Sequence, residues 1–166
     1  LHSLQLGDGF AEVERNLARL FAATARDVGV PRMVYLGGLT PDCPPEQLSE
    51  HLSSRSEVGE ILRGSGVPTA ELRAAVILGS GSASFEMLRY LTERLPAMVT
   101  PRWVRNRIQP IAIRDVLRYL VGCADLPPEV NRTFDIGGPD VLTYRDMMQR
   151  YAAAAGLRRR IIAPVP

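Results

Sequence analysis

Residues 69–84 read TAELRAAVILGSGSAS and join an apolar, β-rich run to a glycine-rich turn and the beginning of a helix. We expect a strand over residues 69–78, a turn at Gly79-Ser80-Gly81, and a helix over residues 83–95 that Pro96 stops. Parallel sheets are built from strands that are joined through helices in this way. The stretch therefore predicts one strand–helix unit of a parallel sheet.

The rest of the chain repeats this alternation. The run RMVYL, residues 32–36, predicts a central strand that is buried on both faces and ends at Gly37-Gly38. Asp8, Asp115 and Thr143 are expected to cap helices. The remaining helices are expected over residues 10–27, 47–63, 115–121 and 144–155, and strands over residues 133–136 and, as short pieces, 98–113. The pattern predicts an α/β fold whose ligands bind at the carboxyl ends of parallel strands.

Composition excludes several classes of protein. Of 166 residues, 46% are hydrophobic and 23% charged, which suits one ordered domain or a large piece of one. The formal net charge of +2 gives no electrostatic reason to expect nucleic acid as a partner. No run approaches the roughly 20 apolar residues of a membrane span, so no membrane partner is expected within this segment. Every basic residue is arginine, which excludes a Schiff-base or Walker-type lysine.

The cysteines, Cys43 and Cys123, and the histidines, His2 and His51, form no close cluster in the sequence. We therefore expect no metal site. Two unrelated thiols in a reduced, cytoplasmic compartment are the simplest interpretation of the cysteines, and a bridge between them is left open.

The turn GSGSAS, residues 79–84, is a candidate ligand site, because glycines before a helix let backbone N–H groups approach an anion. It resembles the dinucleotide motif G-x-G-x-x-G with Ser84 as the third glycine, but no acidic residue ends the next strand about 20 positions later. Gly79, Ser80 and Gly81 are expected to face a substrate or a cofactor. A plain strand-to-helix turn is the alternative.

Two further groups of side chains could take part in catalysis or binding. His51 and Arg55 lie four residues apart and share one helix face, where the histidine could exchange a proton and the arginine could hold a ribose or phosphate. In RWVRNR, residues 102–107, Arg102 could bind an anionic substrate group and Trp103 could stack on a flat ring. A solvated helix face and a solvated loop are the alternatives.

Four segments carry a family resemblance. Residues 30–39 (VPRMVYLGGL) look like the strand and loop before an active-site helix, and residues 52–82 (LSSRSEVGEILRGSGVPTAELRAAVILGSGS) look like that helix and the next strand. Residues 109–121 (QPIAIRDVLRYLV) and 133–148 (TFDIGGPDVLTYRDMM) look like later elements. In this order they resemble the atypical and extended short-chain dehydrogenase/reductases, especially the NmrA-like NAD(P)-binding proteins. The resemblance implies a Rossmann-like, partial doubly wound parallel sheet.

The family's glycine-rich nucleotide motif lies in its first strand–helix turn, which has no counterpart in this sequence. The opening LHSL, residues 1–4, looks like the end of a fourth strand. The resemblance therefore implies that residues 1–166 are the C-terminal part of one NAD(P)-binding domain, with the first nucleotide-binding units missing. Residues from about 96 to 166 would form its substrate-side segment.

The family's catalytic pair, Tyr-x-x-x-Lys, falls on His51 and Arg55. The resemblance implies that His51 serves as acid/base and Arg55 as an electrostatic and ribose contact. Gly37 and Gly38 stand where a catalytic Ser or Thr usually lies, and neither has a hydroxyl group. The cofactor-binding positions that the resemblance implies are His2, Ser3, Leu36, Gly37, Gly38, Arg73, Ala74 and Ala75.

The predicted function is that of an NAD(P)-dependent oxidoreductase-like protein that acts on an unknown carbonyl or sugar-like substrate. The missing Tyr, Lys and Ser/Thr leave open a non-catalytic NAD(P)-binding sensor or regulator. The GGPD turn and the arginine-rich loop leave open a relative of the nucleotide-sugar epimerases. The expected partners are a dinucleotide and a small-molecule substrate, and a homo-oligomer is left open.

Overall fold

A computed structural model describes residues 9–41, 43–44 and 47–164. These residues form two compact units. The first unit contains the described residues up to Ala74 together with Leu117–Ile136, and the second contains Ala75–Val116 together with the described residues from Gly137 onward.

The elements alternate along most of the chain. The helices are α1 (Phe10–Asp27), α2 (Glu50–Arg63), α3 (Ala83–Arg94), α4 (Ile113–Ala124) and α5 (Tyr144–Ala154), and a short 3₁₀-helix spans Arg102–Arg105. The strands are β1 (Met33–Gly38), β2 (Thr69–Ala74), β3 (Val76–Leu78), β4 (Ala97–Thr100), β5 (Arg107–Ile108), β6 (Pro110–Ala112), β7 (Arg132–Ile136), β8 (Leu142–Thr143) and β9 (Ile161–Pro164).

The first unit is a parallel three-stranded sheet in the order β1-β2-β7. Because side chains alternate across a strand, successive residues of β2 face opposite sides of the sheet. On one side, buried alanines of α1 pack with Val58 and Leu62 of α2 and with Met33 of β1. On the other side, Leu72 of β2 packs with Cys123 of α4. Helices thus cover both faces, which confirms the predicted α/β class.

The second unit holds three short strand pairs. The pairs β3–β6 and β4–β9 are parallel, whereas β5–β8 is antiparallel. Helices α3 and α5 pack on each other, and their buried residues join the strands in one core. That core contains Val76, Leu88, Met98, Met147, Met148 and Ile162.

The structure corrects the expected bounds of several elements. The single strand predicted over residues 69–78 is wrong: it breaks at the exposed Ala75, because β2 pairs with β1 and β7 while β3 pairs with β6. Helix α2 begins at Glu50 rather than at residue 47, since the Ser49 hydroxyl accepts a hydrogen bond from the N–H of Leu52 and acts as the N-cap.

Two expected helix caps also differ. Asp115 lies inside the first turn of α4, which begins at Ile113, so it is not the cap. Asp8 lies outside the described residues, and Gly9 occupies the N-cap of α1 with a φ of 105°. The Thr143 cap of α5 is confirmed, because its hydroxyl accepts from the N–H of Asp146 and the Asp146 carboxylate accepts from the N–H of Thr143.

Cys43 and Cys123 are free thiols. Within residues 9–41, 43–44 and 47–164, His, Cys, Asp and Glu side chains do not gather in groups of three that could hold a metal ion. In the same part of the chain, none of the helices combines the length and apolar character that crossing a bilayer requires.

Candidate functional site

The carboxyl ends of β1 and β2 bring together several residues that the sequence singled out. Gly37 pairs with Arg73 and Gly38 with Ala74 in the parallel register. Just beyond, the N–H of Leu39 donates to the carbonyl oxygen of Ala74 at 3.0 Å. Since ligands of parallel sheets bind at this edge, it is the candidate site of the first unit.

Arg55 lies against the end of β1. A Cβ added to Gly38 would stand 3.5 Å from Cδ of Arg55, 3.7 Å from its Nη1, and 3.1 Å from Cδ2 of Leu52. A Cβ at Gly38 would be tight against Leu52 and in ordinary van der Waals contact with Arg55, so a side chain larger than that of alanine would press on the arginine. The absence of a side chain at this position leaves room for the guanidinium group at the strand end.

The Nε atom of Arg55 is buried and has no hydrogen-bond partner among the described residues. Tyr35 lies nearby and donates its hydroxyl hydrogen to the backbone carbonyl of Arg55 at 3.4 Å. Burial raises the pKa of Tyr35, while the charge of Arg55 acts in the opposite direction. A buried donor without an acceptor is costly, so this guanidinium group is suited to a ligand with acceptor oxygens.

His51 lies in the first turn of α2, one helical turn before Arg55. It is half-buried, and its ring centroid lies 6.4 Å from that of Phe10, with the two planes tilted by 44°. The aromatic neighbour belongs to α1, so the contact between the two helices restricts the imidazole. The shared helix face predicted for His51 and Arg55 follows from their positions in α2.

A buried carboxylate that sequence reasoning missed lies beneath this site. Glu71 of β2 is 3% exposed, and its Oε2 accepts from Nε of Arg63 at 3.0 Å. Gly59 of α2 makes room for it, because a Cβ at Gly59 would stand 2.6 Å from Cδ of Glu71. Burial raises the pKa of Glu71, and the Arg63 charge only partly offsets this. Two features of the sequence could have revealed this carboxylate: Glu71 is a single acidic residue in an apolar strand, and Gly59 lies in the preceding helix.

Arg73 already has a partner. Its Nε donates to Oδ1 of Asp135 on β7 at 2.7 Å, across neighbouring positions of the sheet. The main-chain atoms of Arg73 and Ala74 reach the strand edge, and this ion pair holds the Arg73 side chain. The predicted cofactor-contacting residues His2 and Ser3 lie outside the described residues.

In the second unit, packing explains the glycine-rich turn. A Cβ at Gly79 would stand 2.5 Å from Cγ2 of Ile113, and Gly81 has a φ of +84°, which favours glycine. The Ser82 hydroxyl donates to the carbonyl of Ile77 at 2.8 Å. Each of these features fits a plain strand-to-helix turn, which is the alternative to a ligand site. Ser80 is exposed at the tip of the turn.

Trp103 lies in the 3₁₀-helix and is 44% exposed. Its ring meets Tyr144 edge to face, with centroids 5.2 Å apart and planes at 85°. The indole group thus contacts protein on one side while much of its surface is exposed. Arg102 is exposed beside it.

The GGPD turn of the second unit lies on the β5–β6 connection. The N–H of Gly138 donates to the carbonyl of Pro110 at 2.9 Å, and Nε2 of Gln109 donates to the carbonyl of Gly138 at 2.6 Å. A Cβ at Gly137 would stand 2.8 Å from the Gln109 side chain. Gly137 thus leaves room for the Gln109 side chain, and Gly138 leaves room for the backbone of Pro110, whose carbonyl oxygen would lie 2.5 Å from a Cβ at Gly138.

Comparison with solved structures identifies the fold. No protein-family model matches the chain, and no curated protein sequence matches it. The Bordetella bronchiseptica enzyme WbmH, in complex with NAD+, is similar at a TM-score of 0.75 and 15% identity over 100% of this chain. The dTDP-4-dehydrorhamnose reductase of Bacillus anthracis, in complex with NADP, is similar at a TM-score of 0.72 and 14% identity over 93% of this chain. A UDP-glucose 4-epimerase of Thermotoga maritima, with UDP-glucose, is similar at a TM-score of 0.70 and 14% identity over 94% of this chain.

The chain spans 61%, 60% and 58% of the lengths of these three proteins. At such low identity, the similarity shows a shared fold. It confirms the expected Rossmann-like α/β architecture.

Proposed function

We propose that this chain, which has the fold of the NAD(P)-dependent extended short-chain dehydrogenase/reductases, carries the C-terminal part of an NAD(P)-binding domain in an oxidoreductase-like protein. The observation that carries the proposal is the position of Arg55. Its guanidinium group lies against Gly38 at the carboxyl end of β1, with a buried Nε that has no acceptor among the described residues.

The residues at this edge fit a dinucleotide. Arginine offers a fork of N–H donors that suits ribose hydroxyl and phosphate oxygens, and Gly37 and Gly38 let a ligand approach the backbone. Leu36 and Ala74 would form apolar contacts at the same edge. His2, Ser3 and Ala75 remain predicted contacts.

NAD(P), when bound, supplies or accepts a hydride. In the proposed reaction, His51 exchanges a proton with the carbonyl or hydroxyl oxygen of the substrate. Arg55 holds the ribose and adds positive charge near the oxygen on which negative charge develops. Gly79, Ser80, Gly81, Arg102 and Trp103 are proposed to contact the small-molecule substrate.

Titration of the intact protein with NADH and NADPH, followed by nicotinamide fluorescence, tests the proposal. Arg55→Gln should weaken binding by about tenfold, because one charge-assisted hydrogen-bonding group is lost. Arg19→Gln is the matched control, since Arg19 is an exposed arginine on α1, and it should leave affinity unchanged. Failure of the intact protein to bind either dinucleotide would refute the proposal.

A non-catalytic sensor is the second candidate, and the crowding at Gly37 favours it. A Cβ there would stand 3.0 Å from Oε1 of Glu71 and 3.2 Å from Cε1 of Tyr35. The position where the family usually carries a hydroxyl group therefore has little room for one. A screen of carbonyl compounds for oxidation of NAD(P)H separates the two candidates: turnover that His51→Ala abolishes supports the enzyme, and binding without turnover supports the sensor.

The neighbours with UDP-glucose and dTDP-4-dehydrorhamnose in their names keep a nucleotide sugar among the candidate substrates. The same screen should therefore include nucleotide sugars as well as simple carbonyl compounds. A cytoplasmic location and a homo-oligomeric state stay predictions.

A further inference from the structure

The middle of helix α2 packs on the sheet of the first unit through a buried carboxylate. Glu71 of β2 is 3% exposed, and its side chain reaches α2 at Gly59, where a Cβ would stand 2.6 Å from Cδ of the glutamate. The same carboxylate lies close to β1, because a Cβ at Gly37 would stand 3.0 Å from its Oε1. A glycine of the helix and a glycine of the strand thus leave a space that the carboxylate of Glu71 fills.

The residues of α2 that contact Glu71 and those of the candidate site are spaced four apart. His51, Arg55, Gly59 and Arg63 follow one another at this interval, so each lies about one helical turn after the previous one. Gly59 and Arg63 contact Glu71, whereas Arg55 lies against the carboxyl end of β1. The packing around Glu71 is therefore only one turn away from the guanidinium group of the candidate site.

The C-terminal end of α2 is tied to the beginning of β2. Nε of Arg63 donates to Oε2 of Glu71 at 3.0 Å, and the hydroxyl of Thr69 donates to the carbonyl of Leu62 at 3.1 Å. The side chain of Asn131 donates to the carbonyl of Arg63 at 3.0 Å and accepts from the N–H of Thr69 at 3.2 Å. These bonds fix one end of the helix, and the contact in its middle sets how closely the rest approaches the strands.

Contacts on other parts of α2 involve helix α1. The hydroxyl of Ser54 donates to Oε2 of Glu14 at 2.6 Å, and Nη2 of Arg15 donates to Oε2 of Glu57 at 2.9 Å. These bonds join the two helices to each other and do not reach the strands. They hold α2 against α1, whereas the contact with Glu71 sets the distance between α2 and the sheet.

We propose that Glu71 is the positioning residue of Arg55. The reach of its side chain, between Gly37 and Gly59, holds α2 where the guanidinium group of Arg55 meets the strand end. A shorter side chain would leave a gap in the packed interior, and α2 would shift to fill it, because such cavities are costly. Arg55 would move with the helix, and a binding group that is misplaced by about 1 Å loses much of its effect. This inference rests on the proposed function, in which Arg55 contacts the dinucleotide.

Two variants of Glu71 separate the reach of the side chain from its charge. Glu71→Asp keeps the charge but is one methylene shorter, so the NADH affinity of the intact protein should fall by about tenfold. Glu71→Gln keeps the length and still accepts from Arg63, so its affinity should stay within about threefold of the wild type. The matched control is Glu57→Asp, which shortens the carboxylate that pairs with Arg15 of α1 and should change affinity by no more than about twofold.

The Nε–H resonance of Arg55 in the ligand-free protein gives a readout that does not require binding. Glu71→Asp should shift this resonance, whereas Glu71→Gln and Glu57→Asp should leave it close to its wild-type position. Circular dichroism verifies that each variant is folded. If Glu71→Asp does not fold, Arg63→Met takes its place, because it removes the N–H donor to Glu71 and should shift the same resonance. An unmoved resonance in Arg63→Met would then count against the positioning role.

Three results would overturn the proposal. These are wild-type affinity with an unmoved Arg55 resonance in folded Glu71→Asp, an equal effect of Glu57→Asp, and a loss of affinity in Glu71→Gln as large as that in Glu71→Asp. Failure of the wild-type protein to bind NADH or NADPH would instead refute the proposed function. In that case the resonance of Arg55 in the free protein still decides whether Glu71 positions it.

Discussion

The side chain of Arg55 lies so close to Gly38 that a Cβ at that glycine would stand 3.5 Å from Cδ of the arginine. The contact joins a residue of helix α2 to the carboxyl end of strand β1 in the parallel sheet. Together with Leu52, whose Cδ2 would stand 3.1 Å from the same Cβ, the arginine limits the size of the side chain that this strand end can hold.

Gly38→Leu should therefore displace Arg55. Extra side-chain atoms at this position press on Arg55 and on Leu52, whose Cδ2 would lie 3.1 Å from the new Cβ. We expect a loss of about 1–3 kcal/mol in the free energy of unfolding, together with weaker binding of NADH. Urea denaturation and fluorescence titration measure the two effects. Wild-type affinity in a folded Gly38→Leu variant would show that the strand end does not contact the dinucleotide.

Gly59 and Gly122 form a matched pair of helical glycines. A Cβ at Gly59 would stand 2.6 Å from Cδ of Glu71, whereas a Cβ at Gly122 meets nothing within 4 Å. Gly59→Ala should lower the free energy of unfolding by about 1–3 kcal/mol, and Gly122→Ala should raise it by up to about 1 kcal/mol. Urea denaturation of both variants checks the prediction. A stabilised Gly59→Ala would contradict the close approach of α2 to Glu71.

Glu71 should make stability fall as the pH rises. Its pKa in the folded state is raised above the ordinary value of 4.5 by burial, so its contribution is fully present below that value and is lost as the pH rises through the folded-state pKa. Glu71→Gln lacks this titration. Unfolding measured at several pH values above 4.5 should show the variant gaining stability relative to the wild type as the pH rises. A relative gain by the wild type would contradict the assignment.

Thr143→Ala should destabilise α5. The threonine hydroxyl caps the helix through the N–H of Asp146 at 3.1 Å, and its loss should cost about 1 kcal/mol. The hydroxyl also lowers the pKa of Asp146, so this carboxylate contributes stability above its ordinary pKa, and the contribution is lost as the pH falls through the lowered value. Thermal unfolding at neutral and acid pH measures both effects. An unchanged melting temperature at neutral pH would exclude the capping role.

Much of the fold could be predicted from the sequence because its signals are local. The periodic apolar residues of α1 and the Thr143 cap specify where α1 and α5 lie. The break at Ala75 could not be predicted, because it depends on which strands pair with the residues on either side. Strand β9 could not be predicted either, because its parallel pairing with β4 joins residues about 60 positions apart.

The candidate site was only partly predictable for the same reason. The spacing of His51 and Arg55 placed them together on α2, and the contact of Arg55 with Gly38 agrees with the predicted strand edge. Glu71 was missed because its burial depends on the glycine of a different element.

The most direct test of the central claim follows the Nε–H resonance of Arg55 by NMR while NADPH is added to the intact, isotope-labelled protein. If Arg55 contacts the dinucleotide, this resonance shifts saturably; the resonance is absent in Arg55→Gln, and the Nε–H resonance of Arg19, exposed on α1, does not shift. If NADPH binds and the Arg55 resonance stays in place, the proposed contact between Arg55 and the dinucleotide is contradicted.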